Sequence, residues 1–238
     1  MKLFSKLSAL GAVLVMTTAF ASADIIASNQ TNTNYIGFLG GPPATPQPTL
    51  SAVPTFAALP TANLLNVTSA WDIALPGSEW VGVSAQAGPG GTTNPAQGFY
   101  LFIYTFANSG SLTNLSVLAD DTTSVWLGSS VFTAQQVVMA GNLGSDTHCA
   151  DNAPSCFLNR VGSLSAPPYT VNAGDKLYFI VQQAGNVNAA PGANPSGVDF
   201  LGRLDTGAVP EPSSLLMLGT GLIGSAGMMM RRMRAARS

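Results

Sequence analysis

Glycine and proline interrupt the middle of this chain so often that they argue against long helices there. They are spread over the whole of residues 24–208, and no stretch between them offers ten or more residues with a helical period. Both residue types destabilise the interior of a helix, whereas they commonly form the turns that end strands. Their spacing therefore predicts short strands joined by turns.

Alternating apolar residues indicate where these strands lie. Residues 99–106 have aromatic side chains on one face and Leu101 and Ile103 on the other, and two apolar faces are typical of a strand in the middle of a sandwich. The turn Asn108-Ser109-Gly110 predicts a hairpin with residues 112–118, with 124–127 pairing next. Further strands are expected at 176–182 and 198–204, with weaker candidates at 35–39, 64–69, 80–84, 134–139 and 169–171. About ten short strands predict an all-β fold, an antiparallel β-sandwich.

Residues 1–23 have the three parts of a secretory signal peptide. Lys2 and Lys6 precede an apolar run over residues 7–20, and the small residues Ala21-Ser22-Ala23 follow it. The run is too short to be a comfortable membrane span. We expect cleavage between Ala23 and Asp24, which leaves residues 24–208 as the exported domain. The alternative is a buried N-terminal helix of a cytosolic protein.

Residues 209–238, at the other end of the chain, predict a membrane anchor. Residues 213–230 carry no charge, and at a rise of about 1.5 Å per residue they would span about 27 Å, close to the hydrocarbon thickness of a bilayer. Cytoplasmic loops are rich in Lys and Arg, so the basic tail 231–238 predicts a cytoplasmic C terminus and a domain outside the inner membrane. The basic residues of this stop-transfer tail are Arg231, Arg232, Arg234 and Arg237.

The order of Pro210-Glu211-Pro212, a glycine-rich apolar span and an arginine cluster resembles the PEP-CTERM sorting signal of Gram-negative bacteria. The resemblance implies that an exosortase, a membrane cysteine protease-transpeptidase, recognises Pro210, Glu211 and Pro212, in a host that makes exopolysaccharide. It also implies delivery to the cell surface, or secretion after processing. The same tail occurs on proteins labelled as ice-binding, a label that describes the tail. The alternative is a plain C-terminal anchor that nothing processes.

Three segments of the central domain, 118–128, 174–181 and 197–200, resemble jelly-roll domains of the carbohydrate-binding and galactose-binding-like kind. In those domains an Ala-Asp-Asp turn precedes a strand, as Ala119-Asp120-Asp121 does here. The resemblance implies a jelly-roll-like sandwich and supports the fold more than any ligand.

Cys149 and Cys156 are the two cysteines of the chain, and both lie in the exported part. An oxidising compartment favours a disulfide between them. The alternative is a metal site formed by these cysteines with His148 and with Asp146 or Asp151.

Asp120 and Asp121 are candidates for a calcium site at the end of a strand, because calcium prefers oxygen ligands. The alternative is turn formation, in which an Asp side chain accepts a hydrogen bond from the nearby backbone. Aromatic residues of the domain offer either a flat platform for sugar rings or, as is more common, core packing. They are Trp71, Trp80, Tyr100, Tyr104, Trp126 and Tyr169.

The charge of the exported domain limits its functions. Residues 24–208 hold three bases and ten acids, so no basic patch attracts nucleic acid. Because His148 is the only histidine and the acids are scattered, we expect no enzyme, no cofactor and no metal beyond the candidate calcium. The sequence predicts a non-enzymatic structural or interaction role associated with exopolysaccharide. The first alternative is a carbohydrate-binding module on the cell surface, and a hydrolase is a more distant one.

Overall fold

A computed structural model describes residues 21–38, 50, 61–67, 71, 73–138, 162–184, 188, 190–208 and 235. Contacts divide the chain into two units. One is Ala23–Thr206, which contains the sheets. The other comprises Met1–Ser22 and Gly207–Ser238 and lies almost entirely outside the described residues. Among the described residues, no helix is both long and apolar enough to span a bilayer, and 213–230 lie outside that set.

The described part of the chain is all-β, as the glycine and proline spacing predicts. Its strands are β1 (Ala21–Ala27), β2 (Thr33–Phe38), β3 (Asn63–Leu64), β4 (Val81–Gly82), β5 (Gly98–Thr105), β6 (Gly110–Asp120), β7 (Thr122–Gly128), β8 (Gln135–Val138), β9 (Gly162–Ser163), β10 (Tyr169–Val171), β11 (Lys176–Gln183) and β12 (Gly197–Ala208).

The strands form two sheets. One has the order β10-β6-β12-β4-β3, with β1 also paired to β12 and β9 to β6. The other has the order β2-β5-β11-β7-β8. The longest registers are antiparallel: β11 pairs with β5 from Lys176 opposite Thr105 to Gln183 opposite Gly98, and β12 pairs with β6 from Gly197 opposite Asp120. Antiparallel pairing of this kind is typical of sandwich folds.

Side chains of both sheets meet in one hydrophobic core, so the fold is an antiparallel β-sandwich. Phe102 of β5, Val117 of β6, Phe179 of β11 and Phe200 of β12 are all buried in it. The rings of Phe179 and Phe200 stack across the two sheets with centroids 4.3 Å apart. Burying one such side chain stabilises the fold by about 1.5–3 kcal/mol.

The outer face of the five-stranded sheet is also apolar. Leu101 and Ile103 of β5 pack there with Ile180 of β11 and with Leu50, which is 1% exposed. Strand β5 is therefore buried on both faces, and it pairs with β2 on one side and β11 on the other. This arrangement confirms the prediction of a central strand at 99–106.

The predicted hairpin between residues 99–106 and 112–118 is wrong, because β5 and β6 belong to different sheets. The chain crosses from one sheet to the other after Phe106. The Phe106 N–H donates to the carbonyl of Asp175 at 2.9 Å, and the Gly174 N–H donates to the carbonyl of Phe106 at 2.8 Å. These bonds attach the end of β5 to the turn before β11. Residues 124–127 likewise lie in β7, which pairs with β11 and β8 and not with β6.

Two strands were not expected from the sequence. Strand β9 has only two residues, Gly162–Ser163, and carries no visible alternation. Strand β1, Ala21–Ala27, extends across the predicted cleavage position between Ala23 and Asp24. It pairs with β12, so the first and last strands of the domain are neighbours.

Candidate functional site

Two long loops meet at one end of the sandwich. One runs from β4 to β5 and the other from β11 to β12, and the register places Gln183, the last residue of β11, opposite Gly98, the first of β5. We call residues 85–97 with 184, 188 and 190–196 the neutral loop surface. The connecting segments are long enough to form a surface of their own, which is where binding functions concentrate.

Side-chain amides hold the two loops together. Asn94 Nδ2 donates to the carbonyl of Ala190 at 3.0 Å, and the N–H of Asn194 donates to Asn94 Oδ1 at 3.1 Å. Gln183 is 1% exposed, and its Nε2 donates to the carbonyls of Asn194 at 3.1 Å and Pro195 at 2.9 Å. Buried amides that satisfy loop carbonyls fix the loop in one conformation, so the surface is pre-organised.

No charged residue or histidine occurs in 85–97 or 184–196. The exposed polar side chains of the neutral loop surface are hydroxyls and amides. They are Gln86, Thr92, Thr93, Gln97 and Asn188. Such groups both donate and accept hydrogen bonds without attracting an ion. The described part of this surface therefore offers hydrogen-bonding groups and no ionic group.

The two acids predicted as a calcium site, Asp120 and Asp121, lie at the same end of the sandwich. Asp120 is 4% exposed and its Oδ2 accepts from the indole Nε1 of Trp71 at 3.0 Å. The Oδ2 of Asp121 accepts from the N–H of Ala184 at 2.6 Å. Both carboxylates therefore accept hydrogen bonds from the protein itself. Among the described residues, no three His, Cys, Asp or Glu side chains converge on a possible metal position.

A third acid, Asp199 of β12, is completely buried, at 0% exposure. Its Oδ1 accepts from the Ser28 hydroxyl at 2.8 Å and its Oδ2 from the Leu75 N–H at 2.7 Å. Burial raises the pKa of the Asp199 carboxyl, and hydrogen bonds from Ser78, Leu75, Ser28 and Phe200 partly oppose that shift. The buried Asp199 carboxylate therefore links β12 to the segments that contain Ser28 and Leu75.

Trp71 and Trp80 do not form an open platform for sugar rings. Trp71 is 3% and Trp80 is 2% exposed, and their rings pack with centroids 4.6 Å apart. Tyr100 is also buried, so the sugar-platform alternative is wrong for these three residues and core packing is confirmed. Tyr104, Trp126 and Tyr169 are half-buried.

An open groove of about 500 Å³ lies beside the two tryptophans. Leu64 and Ile73 line it and are 43% and 76% exposed, and Glu79 is the one charged side chain among the described residues that line it. A groove with this lining offers apolar contact but few polar groups that orient a ligand.

Other predicted site residues lie outside the described residues. These are the candidate disulfide Cys149 and Cys156 with His148, the motif Pro210, Glu211 and Pro212, and the basic residues Arg231, Arg232, Arg234 and Arg237. The disulfide and the roles of the motif residues stay predictions.

Sequence reasoning missed the pair Asp199 and Ser28. A signal was present in the sequence, because Asp199 stands between Val198 and Phe200 in a strand with few polar residues. A lone acid in an apolar strand is either exposed on an outer face or buried with partners. Ser28 carried no comparable signal, since its partner is 171 residues away.

The fold and the neutral loop surface define a small all-β protein with a hydrogen-bonding loop surface that carries no charged residue of its own and lies beside Asp121. A family model described as the PEP-CTERM protein-sorting motif matches residues 208–234. This match confirms the resemblance of the tail, and it indicates a protein that is exported and sorted to the cell surface by an exosortase, a membrane enzyme. No curated protein and no solved structure matches the chain. The jelly-roll resemblance of the domain stays a prediction.

Proposed function

We propose that this chain is a non-enzymatic surface or extracellular-matrix protein that acts in association with exopolysaccharide. Its signal peptide directs export, residues 213–230 anchor it in the membrane with the arginine tail in the cytoplasm, and an exosortase recognises Pro210-Glu211-Pro212 and processes the tail. One observation carries the proposal. Strand β12 ends at Ala208, and the matched sorting motif begins at residue 208. The sandwich is thus joined directly to its sorting signal.

The placement of acids supports a non-enzymatic role. General acid/base chemistry needs a titratable side chain within hydrogen-bond reach of the substrate. Asp199 is enclosed in the core, and Asp120 is 4% exposed and bonded to Trp71. Asp205 forms an exposed ion pair with Arg203 at 2.7 Å.

Low charge supports the association with polysaccharide. Charged residues make up 8% of the chain, against about 25% in an ordinary globular protein. A surface of hydroxyls and amides forms hydrogen bonds with hydrated sugars at little desolvation cost compared with a charged one.

The sorting step is tested by replacing Pro210, Glu211 and Pro212 together with alanine in an exosortase-bearing host. We expect unprocessed full-length chain to accumulate in the membrane fraction and surface delivery to fall. The measurements are the electrophoretic mobility of the chain in a pulse-chase experiment and the surface fraction by antibody labelling.

The matched control is Asp205→Ala, which also removes one negative charge close to the tail. Asp205 lies on β12 with 37% of its side chain exposed, and a surface ion pair contributes only about 0–1 kcal/mol. Asp205→Ala should be processed normally. Normal processing and delivery of the triple alanine variant would refute the sorting proposal.

A carbohydrate-binding module is the second candidate, and the neutral loop surface is the observation that favours it. Gln86 is exposed there, and Gln86→Glu changes its charge with almost no change in shape. If the surface binds sugar hydroxyls, this change should weaken binding by about fivefold or more, because it introduces an unpaired charge. The binding is measured by co-sedimentation of the purified chain with dextran and with mannan. Anionic alginate serves for comparison.

Gln135→Glu is the matched control, because Gln135 is also exposed but lies on β8 in the five-stranded sheet. Equal weakening by both variants would indicate a general charge effect. If the wild-type chain binds none of the three polysaccharides, the proposal of a binding module is refuted and the structural role is retained.

A further inference from the structure

The groove beside Trp71 and Trp80 has a hydrogen-bonded frame. Both tryptophans belong to the hydrophobic cluster on which the groove lies. The N–H of Leu65 donates to the carbonyl of Trp80 at 3.0 Å, which fixes the segment of Leu65 to that cluster. The N–H of Ser78 donates to the carbonyl of Leu75 at 2.9 Å and closes the turn before Glu79. A frame held in this way binds a ligand without first having to become ordered.

Glu79 is attached to this frame through its backbone. Its N–H donates to the carbonyl of Ser28 at 2.9 Å, and its own carbonyl accepts from the Ser28 hydroxyl at 2.8 Å. The side chain of Glu79 has no part in these bonds, and the residue is exposed. Among the described residues that line the groove, it is the one that carries a charge. The groove thus presents one carboxylate on a fixed backbone.

Apolar side chains surround this carboxylate and extend into solvent. Ile73 is 76% and Leu64 is 43% exposed, and Val67 and Ala74 are partly buried beside them. A ligand that covers Ile73 and Leu64 removes apolar surface from water, which is favourable. At about 500 Å³, the groove has the size of a site for one small organic molecule.

We propose that this groove binds a small organic cation with an apolar body, of the arylalkylamine class. The body packs on Leu64, Val67 and Ile73, and the ammonium group pairs with the carboxylate of Glu79. The apolar body excludes water from one side of the ion pair, which strengthens the attraction.

Charge complementarity selects the cation over other ligands. Glu79 repels an anion, and an uncharged ligand gains only the apolar contact. The exported domain holds ten acids against three bases, which also favours a cation. The hydroxyl groups of a sugar would find few hydrogen-bonding partners among the alkyl side chains of the groove. The inference is therefore independent of the proposed sorting and of the neutral loop surface.

The experiment titrates the purified chain with two ligands that share one body. Phenethylamine is a cation at neutral pH, as the lysine amine is, whereas phenethyl alcohol is uncharged. The readout is the indole N–H signals in the NMR spectrum of the isotope-labelled chain. Trp71 and Trp80 line the groove, whereas Trp126 lies on β7 and packs in a different cluster. We expect the first two signals to shift and the third, identified with Trp126→Phe, to stay.

The charge of Glu79 should decide the preference between the two ligands. Wild type should bind phenethylamine about fivefold more tightly than phenethyl alcohol, the upper range for an ion pair that solvent partly screens. Glu79→Gln keeps the backbone bonds to Ser28 and nearly the same shape. It should lower the affinity for the amine to that for the alcohol and leave the affinity for the alcohol unchanged.

Ile73→Ser should weaken both ligands about equally, because it removes apolar contact and no charge. The matched control is Ile25→Ser, since Ile25 is 67% exposed on β1 and is not among the residues that line the groove. Ile25→Ser should leave both affinities at the wild-type values.

Four results would overturn the inference. The first is equal affinity of wild type for the amine and the alcohol, and the second is an unchanged preference in Glu79→Gln. The third is equal weakening by Ile25→Ser and Ile73→Ser. The fourth is the absence of any shift of the Trp71 and Trp80 signals up to the solubility limit of both ligands.

Discussion

The hydroxyl of Ser28 donates to Oδ1 of Asp199 at 2.8 Å, across 171 residues of sequence. The same hydroxyl oxygen accepts from the N–H of Phe200 at 3.0 Å, and the Ser28 N–H donates to the carbonyl of Phe200 at 2.9 Å. The end of β1 is thereby attached to β12 at three points. Asp199 also binds the N–H of Leu75, so one buried carboxylate organises the N-terminal strand, the loop before β4 and the last strand.

Removing this carboxylate should destabilise the domain strongly. Asp199→Ala leaves the Leu75 N–H without its acceptor, whereas the Ser28 hydroxyl keeps the carbonyl of Glu79 within 2.8 Å. A buried unsatisfied polar group costs about 1–3 kcal/mol, so we expect a loss of about 2 kcal/mol in the free energy of unfolding. Urea denaturation of the purified chain measures it. Asp205→Ala, on the exposed side of the same strand, should change stability by less than about 1 kcal/mol. Similar losses for both would contradict the role of Asp199.

Asp199 should also make stability depend on pH. Burial raises its pKa above the ordinary value of 3.8, so the folded state binds this proton more tightly than the unfolded state. The resulting stabilisation is fully present below 3.8 and is lost as the pH rises through the folded pKa. Wild type should therefore gain stability from this group on acidification from neutral pH, and Asp199→Asn should lack that gain. Urea midpoints at several pH values, compared between the two proteins, check the sign. A wild-type advantage that grows with pH would refute it.

Gln183 should control the order of the neutral loop surface. Gln183→Ala removes two hydrogen bonds to the carbonyls of Asn194 and Pro195. We expect faster amide hydrogen exchange in residues 190–196 and a loss of about 1–2 kcal/mol in stability. Mass-spectrometric exchange on the purified chain gives both the site and the size of the change. Gln135→Ala, at an exposed position of β8, should leave exchange in this loop as in wild type.

Calcium removal should leave the protein unchanged. Asp120 and Asp121 each use a carboxylate oxygen to accept a hydrogen bond from the protein, which a bound cation would have to displace. Melting curves with excess calcium and with a chelator should therefore coincide. A calcium-induced rise in melting temperature that disappears in Asp121→Asn would establish the calcium site instead.

Strands that show an apolar alternation within their own residues were predicted well from the sequence. The apolar alternation of residues 99–106 and 176–182 reports burial on both faces, and β5 and β11 are indeed central in their sheet. Their boundaries also agree to within one residue, because Gly98 and Gln183 end the alternation. Burial of a side chain depends mainly on its own chemistry and its immediate neighbours along the strand.

Strand partners were predicted less well, because pairing is decided by distant residues. A turn-forming triplet at Asn108-Ser109-Gly110 suits a hairpin, yet the hydroxyl of Ser109 accepts from the N–H of Ala173 at 2.8 Å, beside the turn that precedes β11. The same limit applies to the site. The composition of the loops shows that they are uncharged, but only the fold shows that Asn94 joins the two loops and that Gln183 holds the second loop to the end of β11.

The adjacency of β1 and β12 has a consequence for when the domain matures. A secretory chain crosses the membrane N terminus first, so Ser28 emerges long before Asp199, its partner 171 residues later. Until then β1 lacks β12, the strand with which it pairs, and a contact this remote in sequence is slow to form. Completion of the sandwich therefore waits for β12, which directly precedes the matched sorting motif. In an exported chain the first strand stays without this partner until nearly all of the domain has crossed the membrane.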